Sequence, residues 1–424
     1  MADDTPSPIE KALALNLDPR KYGTIVEIGA GQEVARWFFQ AGGAAGSVAK
    51  TMSAYDMKVS DEIYGATAGR RYVSRERLER MIEREFDLVV DRVGDTRPDD
   101  STFFAFADTV AAQGYRKREE CHGWIGIRRQ AAPGAAPDDI ILHVRLLDDT
   151  NVEQQEALGI LGVNLIHGAF FLADRPEALL RGLTDNPKWG RVEIDLVEFR
   201  GPTLGALDNR LMALELVKAS LARAVLFDPA GRVVIPADAL HRRAVLAMRG
   251  RFRPVGAEQL RMLADARTRF AAEKGGGDGA ADNAIRIAEI TTSELANEGE
   301  EIDTADFLAR VDALTGHGFH VLISEFFRHF RVRQYFARYT REPVAFATDV
   351  DNFAEIMNED FYDGLPGGMF EGLGLLFPPD TTVYVYPGRS GMSFDALPLA
   401  DDLRPLLEYL RGRGQVVPVE AGSD

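Results

Sequence analysis

Hydrophobic runs alternate with stretches of helical periodicity along most of the chain. The run at 24–28 is rich in β-branched residues and precedes a predicted helix at 32–40. Two further runs, at 123–129 and 140–147, flank a loop with proline and glycine, which predicts a hairpin. The run at 86–90 predicts another extended segment. Strands that alternate with helices in this way are typical of an α/β fold.

A glycine-rich segment interrupts this alternation. Residues 273–283, EKGGGDGAADN, contain three consecutive glycines and no large apolar side chain, so we predict a linker there. A length of 424 residues allows roughly two to three domains. We therefore predict a Rossmann-like α/β unit over 9–272 and a second, smaller α/β unit over 284–414.

Composition narrows the range of partners. The chain has 66 acidic and 49 basic side chains, and its net charge of −17 disfavours nucleic acids and anionic membranes. The uncharged apolar stretch at 157–173 is shorter than the roughly 20 residues of a membrane span and predicts a buried helix. The acidic N terminus lacks the apolar run of a secretion signal, so we expect a cytoplasmic protein that binds a small molecule. The 24 phenylalanines and 11 tyrosines could also serve contacts in a homo-oligomer.

Cysteine and histidine give little support to a disulfide or a metal site. The one cysteine, Cys121, excludes an intramolecular disulfide and a zinc module built on several cysteines. The seven histidines include no H-x₃-H or HExxH spacing. We therefore predict no metal.

A glycine turn follows the first predicted strand, in the sequence IVEIGAGQE. Glu27, Gly29 and Gly31 form an acidic-x-Gly-x-Gly pattern, in which glycine would let a ligand approach the backbone. The pattern resembles the first motif of class I methyltransferases, which implies S-adenosylmethionine or a nucleotide as cofactor and Asp56 as the residue that binds ribose. Glu33 in the first helical turn would repel a pyrophosphate, which argues against NAD and FAD. A purely structural tight turn explains the same residues.

Three arginines recur with a period of two in the sequence RGRFR. In an extended segment Arg249, Arg251 and Arg253 would share one face at intervals of roughly 7 Å. Such a row suits a phosphate or carboxylate ligand, because planar guanidinium groups bind these anions in a bidentate manner. The alternative is ion pairing within the protein, for which Glu193 and Asp195 share a face of the strand predicted at 191–199.

A second basic cluster lies on a helix predicted at 325–339. Arg328, Arg331, Tyr335 and Arg338 fall on one face of this helix. We expect these arginines to pair with the acidic surface of the protein itself, and docking of an acidic partner is the alternative.

His143 and Arg145 alternate in the run at 140–147, so they point the same way. His122 and Trp124 have the same relation in the neighbouring run. An imidazole beside a guanidinium could serve as a general base with a lowered pKa, and we therefore predict His143 and Arg145 as catalytic residues. A histidine with structural hydrogen bonds is the alternative.

The segment around Asp228 superficially resembles the first motif of haloacid-dehalogenase-type phosphotransferases. In that interpretation Asp228 is the nucleophile, Ser324 follows in the expected order, and Asp349 and Asp351 help to bind a metal. The second aspartate of the motif, its usual acid/base, is Ala230 here. A β-turn after Asp228 explains the same residues.

Several longer stretches resemble one widespread family of uncharacterised bacterial proteins. They are GTIVEIGAGQEVARWFF, AKTMSAYDMKVSDEIYG, QQEALGILGVNLIHGAF, DNRLMALELVKASL, RGRFRPV and GGMFEGLGLLF, and the resemblance extends over nearly the whole chain. Two labels are attached to that family, TonB-dependent receptor and nicotinate-nucleotide adenylyltransferase.

Neither label agrees with this sequence. A TonB-dependent receptor is a membrane barrel of about 22 strands, and the alternating ten-residue strands of such a barrel are missing. In the adenylyltransferase motif Gly250, Phe252 and Pro254 match, but Gly256 and Gln259 stand where the two phosphate-stabilising histidines belong. The resemblance therefore implies no catalytic residues.

The residues together favour an intracellular enzyme that binds an adenosyl or nucleotide-like ligand, with group transfer as the reaction class. Two alternatives stay open. One is a non-catalytic assembly or scaffold protein, and the other is the phosphotransferase built around Asp228.

Overall fold

The computed structural model of the chain describes residues 5–67, 69, 71–115, 120–186, 190–274, 283–296, 301–388 and 392–420. The chain forms two compact units, one ending at Arg223 and the other starting at Ala224. In the described ranges each unit is built on one sheet, of six strands in the first unit and eight in the second, with helices in the connections. The predicted α/β fold class is confirmed.

The sheet of the first unit is parallel on one side and antiparallel on the other. Its strands are β1 (Lys21–Ile28), β2 (Val48–Met52), β3 (Thr102–Ala111), β4 (His122–Gln130), β5 (Pro137–Leu146) and β6 (Val192–Arg200). Their order is β2-β1-β3-β4-β5-β6, in which β1 runs parallel to β2 and β3, and the pairs from β3 to β6 are antiparallel. The hairpin expected between β4 and β5 is confirmed.

Helices cover both faces of this sheet. They are α1 (Pro8–Asn16), α2 (Glu33–Ala41), α3 (Met57–Tyr64), α4 (Arg75–Val93), α5 (Asn151–Phe171), α6 (Pro176–Gly182) and α7 (Asn209–Lys218). On one face α4 packs on Phe103 and Ala105 of β3. On the other face α5 packs on Phe104, through an edge-to-face contact with Phe170, and most of its residues are buried, as the apolar stretch predicts.

The extended segment predicted at 86–90 is part of α4. Leu78, Met81, Ile82, Phe86 and Val89 are buried at positions i, i+3, i+4, i+8 and i+11, which is the spacing of one helical face. The prediction was wrong because a short run with two valines is ambiguous until its helical neighbours are included.

The second unit is built on a largely parallel sheet. Its strands are β7 (Ala224–Phe227), β8 (Val233–Val234), β9 (Val245–Arg249), β10 (Ile285–Thr291), β11 (His320–Ser324), β12 (Val344–Asp349), β13 (Thr381–Tyr386) and β14 (Val416–Pro418). The order is β14-β13-β12-β9-β10-β11-β7-β8, and only the pairs β11–β7 and β7–β8 are antiparallel. From β9 the chain continues through β10 to β11 and then crosses to β12 on the other side of β9. The carboxyl ends of β9 and β12 therefore form a topological switch point, where doubly wound proteins bind their ligands.

Except for α8, which follows the antiparallel strand β8, the helices of the second unit follow its parallel strands. They are α8 (Pro236–Ala239), α9 (Ala257–Lys274), α10 (Thr292–Leu295), α11 (Thr304–Gly316), α12 (His329–Tyr339), α13 (Val350–Ile356), α14 (Gly368–Leu376) and α15 (Arg404–Gly412). Short 3₁₀ segments occur in both units, at Ala44–Gly46, Gly94–Thr96, Leu204–Ala206, Glu359–Tyr362 and Phe394–Ala396.

The boundary between the units differs from the one expected at 273–283. Because β9 pairs with β10 in register from Val245 and Ile285, the glycine-rich segment connects two strands of one sheet and lies inside the second unit. Residues 275–282 themselves lie outside the described residues. The doubly wound order that we expected of the N-terminal unit is likewise found in the second unit, as β11-β10-β9-β12-β13-β14.

Candidate functional site

The glycine turn at the end of β1 is shaped by the protein's own backbone. Gly29 has a φ of 100° and Gly31 a φ of 92°, a region that favours glycine. A Cβ on Gly29 would collide with the carbonyl oxygen of Val110 on β3, so this glycine is required by strand packing. The Oη of Tyr55 donates a hydrogen bond to the carbonyl oxygen of Gly29 at 3.2 Å.

The two acidic residues predicted to bind a cofactor cap helices. The buried carboxylate of Glu27 accepts hydrogen bonds from the backbone N–H groups of Val34 and Ala35, at 2.9 and 3.1 Å, in the first turn of α2. Asp56 accepts hydrogen bonds from the N–H groups of Lys58 and Val59 at the start of α3. The structure thus brings Glu27, Gly29 and Gly31 together and gives them roles within the fold. Binding of S-adenosylmethionine at this turn stays a prediction.

A second carboxylate lies beside Glu27. Asp108 faces Glu27 in the register of β1 and β3, is fully buried, and accepts a hydrogen bond from the N–H of Ile28 at 3.3 Å. Burial raises the pKa of Glu27 to about 7 and raises the pKa of Asp108 well above its usual value, to which the neighbouring Glu27 contributes. The two carboxyl groups at this turn are therefore largely excluded from solvent.

The second unit contains a cavity of about 570 Å³ at its switch point. Its lining comes from the ends of β9 and β12, from the segment before α12 and from the first turn of α13. All three arginines of the predicted anion-binding row, Arg249, Arg251 and Arg253, line this cavity. A volume of this size is in the range of small-molecule sites.

Two arginines of the row are held in ion pairs. Arg249 forms a bidentate pair with the buried Glu289 on the neighbouring strand β10, with N–O distances of 3.0 and 3.1 Å, and also donates to the carbonyl oxygen of Phe326. Arg253 pairs with Asp306 at 3.1 Å. Ion pairing therefore holds for these two residues, but the partners are not Glu193 and Asp195, which lie on β6 of the first unit.

Arg251 and Arg328 are different. Among the described residues neither guanidinium group has a hydrogen-bond or ion-pair partner, and both line the cavity. Arg328, directly before α12, lies 4.3 Å from the ring centroid of Phe361 and 5.3 Å from that of Phe327. Stacking on aromatic rings fixes the plane of a guanidinium group and leaves its N–H donors for an anion. The predicted pairing of Arg328 with protein carboxylates is thus not observed in the described part of the chain.

Neutral and acidic groups complete the lining. His329, the first residue of α12, makes no hydrogen bond through its ring within the described residues. Burial, together with the nearby Arg249, holds its pKa well below the usual value, so the ring is neutral at pH 7. Asp349, Asp351 and Glu355 line the β12 side of the cavity, and burial raises the pKa of Glu355. The cavity therefore presents two guanidinium groups without ion-pair partners among the described residues, a neutral imidazole and several carboxyl groups.

Sequence reasoning missed Arg328 and His329 as part of this site. The available signal was the aromatic and basic sequence FFRHF, which begins two residues after a buried strand, because residues that follow a parallel strand lie at the ligand-binding edge of the sheet.

The predicted catalytic residues of the first unit lie in a different environment. His143 is buried, and its Nδ1 is 2.5 Å from Oδ1 of Asp195, while its Nε2 is 3.1 Å from Nδ1 of His122. Arg145 lies opposite His122 in the strand register and pairs with Glu120 at 3.3 Å. The structure therefore brings His143 and Arg145 to neighbouring positions, as expected, and each has protein partners.

The phosphotransferase arrangement around Asp228 is not formed. Asp228 accepts hydrogen bonds from the N–H groups of Ala230 and Arg232 and pairs with the Arg232 side chain at 2.6 Å, in the turn between β7 and β8. Because β7 runs antiparallel to β11, Asp228 lies at the amino edge of the parallel strands. Asp349 and Asp351 lie at the carboxyl edge. The nucleophile of that interpretation and its other two metal ligands therefore lie at opposite edges of the sheet.

The described residues show neither a metal-binding cluster nor a membrane-spanning helix. Within the described ranges no group of three or more histidine, cysteine or acidic side chains is arranged to bind a metal ion. The same part of the chain contains no helix with the length and apolar character of a membrane span.

Comparisons with other proteins show partial similarity to solved structures. No protein-family model matches the chain, and no curated protein matches it. The competence/damage-inducible protein CihA of Agrobacterium tumefaciens aligns with 39% of this chain and 96% of its own, at 18% identity and a TM-score of 0.28. A CinA superfamily protein of Enterobacter cloacae aligns with 40% of this chain and 96% of its own, at 14% identity and a TM-score of 0.29. Similarity of this degree does not identify a function.

Proposed function

We propose that the second unit binds a nucleotide-like small molecule in the cavity at its switch point. The observation that carries this proposal is the presence of two guanidinium groups, Arg251 and Arg328, without carboxylate partners among the described residues, in a protein whose net charge is −17. An anionic group of the ligand, such as a phosphate, would supply the missing partner.

The rest of the lining fits the remainder of such a ligand. Asp349 and Asp351 can accept hydrogen bonds from sugar hydroxyls, as acidic residues at strand ends do in nucleotide-binding sheets. The exposed ring of Phe327 offers a surface on which a base can stack. Group transfer stays the reaction class that we expect, because the neutral ring of His329 can accept a proton from an attacking group.

Isothermal titration calorimetry tests the proposal with the full chain and a series of ligands: adenosine, AMP, ATP, NAD and S-adenosylmethionine. We expect the phosphorylated ligands to bind and adenosine to bind at least about tenfold more weakly. Arg251→Gln and Arg328→Gln should each weaken binding of the phosphorylated ligands.

Two arginines outside the cavity provide matched controls. Arg261 is exposed on α9, and Arg331 lies one helical turn after Arg328, so Arg261→Gln and Arg331→Gln remove the same charge without changing the lining. Equal losses of affinity in all four variants would indicate a general charge effect and contradict the proposed site. Binding of S-adenosylmethionine that both cavity variants retain would favour the glycine turn instead.

A further inference from the structure

Three neighbouring strands of the first unit align three titratable side chains in a row. Asp195 on β6 contacts His143 on β5, with 2.5 Å between Oδ1 and Nδ1, and His143 contacts His122 on β4, with 3.1 Å between Nε2 and Nδ1. Asp195 and His143 are buried, whereas His122 is partly exposed. The row therefore leads from a buried carboxylate to an imidazole near the surface.

The row determines which nitrogen of each ring carries a proton. The carboxylate of Asp195 accepts a hydrogen bond, so Nδ1 of His143 is the donor and a neutral His143 leaves Nε2 as an acceptor. Nδ1 of His122 must then donate to Nε2 of His143. The remaining nitrogen, Nε2 of His122, keeps its lone pair and has no hydrogen-bond partner in the described residues.

We propose that His122 is the proton-accepting group of a second reactive site, in the first unit, which acts on water or on the hydroxyl group of a small molecule. His143 and Asp195 are positioning residues in this site. In the proton-transfer step the O–H bond breaks, its electron pair stays on the oxygen, and the proton forms an N–H bond with Nε2 of His122. The oxygen becomes a nucleophile, and the positive charge on the imidazole is stabilised by Asp195 through His143.

The surroundings of His122 agree with this role. Burial and the neighbouring His143 lower the pKa of His122, so the ring is neutral and able to accept a proton at pH 7. The charged groups that act on it are Glu120, Arg145 and Asp195, and Arg145 is itself paired with Glu120. Both nitrogens of the buried His143 are engaged by protein groups, whereas Nε2 of His122 has no hydrogen-bond partner among the described residues.

Nitrogen NMR of the full chain labelled at histidine tests the proposal without any substitution. Long-range proton–nitrogen correlations report which ring nitrogen carries the proton. We expect His122 to be protonated at Nδ1 and unprotonated at Nε2, whereas the exposed His241 and His317 should favour protonation at Nε2. Protonation of His122 at Nε2 would overturn the proposal.

A reactivity measurement then tests the role of Asp195. Diethyl pyrocarbonate modifies unprotonated imidazole nitrogens, and mass spectrometry gives the rate at each histidine. In Asp195→Asn the rate at His122 should fall at least about tenfold, because the wrong tautomer removes the accepting lone pair. Asp195→Glu, which keeps the carboxylate, should have a rate at His122 close to that of the natural protein. The rates at His241 and His317 should not change in either variant. An unreactive His122 in the natural protein, or an equal rate in folded Asp195→Asn, would contradict the proposal.

Discussion

The carboxyl ends of β1 and β9 occupy comparable positions, since each is the strand from which its parallel sheet extends in both directions. The polar groups at the two ends are used differently. At β1 the carboxylate of Glu27 is bonded to the first turn of α2, and Gly29 is packed against β3. In the cavity at the end of β9, the guanidinium groups of Arg251 and Arg328 have no hydrogen-bond or ion-pair partner among the described residues. A glycine motif after a strand thus indicates a turn, whereas arginines in a cavity without ion-pair partners in the described part of the chain are the basis on which we propose a ligand.

The largest effect that we predict concerns the turn. Gly29→Ala should lower the free energy of unfolding by about 3–5 kcal/mol, because the new Cβ meets the carbonyl oxygen of Val110 and the backbone keeps a positive φ. Chemical denaturation monitored by circular dichroism measures this loss.

Gly43→Ala is the matched control for that substitution. Gly43 also has a positive φ, of 76°, but a Cβ there would lie at an ordinary distance of 3.6 Å from the Cβ of Asn16. It should cost only about 1–2 kcal/mol, the penalty of the left-handed conformation. Equal losses at both positions would show that the close approach of β3 is not what requires Gly29, and the contrast between the two strand ends would weaken.

Parts of this contrast could be predicted from local sequence and parts could not. The hairpin between β4 and β5 and the buried helix α5 depend on neighbouring residues, so their patterns were sufficient. The arginine row could also be recognised from consecutive residues, and Arg251 of this row lines the cavity. The partner of Arg249 is Glu289, which becomes adjacent only when β9 and β10 pair in parallel.

The role of Glu27 within the fold could not be predicted for a similar reason. An acidic residue before a glycine turn can bind a ligand or cap the following helix, and both uses have the same sequence. The choice depends on the direction in which α2 begins relative to β1, which no local pattern contains. The boundary between the units could not be predicted from local sequence either. The glycines at 273–283 indicate a loop, but they do not indicate whether the flanking strands belong to the same sheet.

The second prediction concerns pH and the buried carboxylate of Glu27. Its pKa is raised to about 7 in the folded protein from an ordinary value of 4.5, so the folded state binds this proton more tightly than the unfolded state. The protonated carboxyl group of Glu27 therefore contributes fully to stability below about pH 4.5, and this contribution is lost as the pH rises through 7. Glu27→Gln stays neutral and should be more stable than the natural protein at pH 8 by about 1–3 kcal/mol, with a smaller difference at pH 5.

Glu33→Gln provides the comparison for this pH series. Glu33 lies in the same first turn of α2, but it is partly exposed and pairs with Arg36 at 2.8 Å. Unfolding curves at several pH values should show a smaller pH-dependent gain for Glu33→Gln, because the charge of Glu33 only adds to the effect of burial on the pKa of Glu27. If the difference in the free energy of unfolding between Glu27→Gln and the natural protein were constant from pH 5 to pH 8, Glu27 would be charged throughout. The turn would then be more accessible to solvent than the structure indicates.

The smallest effect that we predict distinguishes Arg251 from Arg328, the two cavity arginines that have no ion-pair partner within the described ranges, by their geometry. Arg328 is stacked on Phe361, so its planar group is fixed, while Arg251 is exposed and provides mainly charge. Lysine preserves charge but cannot reproduce a stacked, bidentate guanidinium group. Arg328→Lys should therefore weaken ATP binding about tenfold, equivalent to about 1.4 kcal/mol, whereas Arg251→Lys should change it by less than about threefold. Titration calorimetry of both variants beside the natural protein measures the difference. Equal tolerance of lysine at both positions would show that the anion is attracted by charge alone, and that stacking on Phe361 does not orient it.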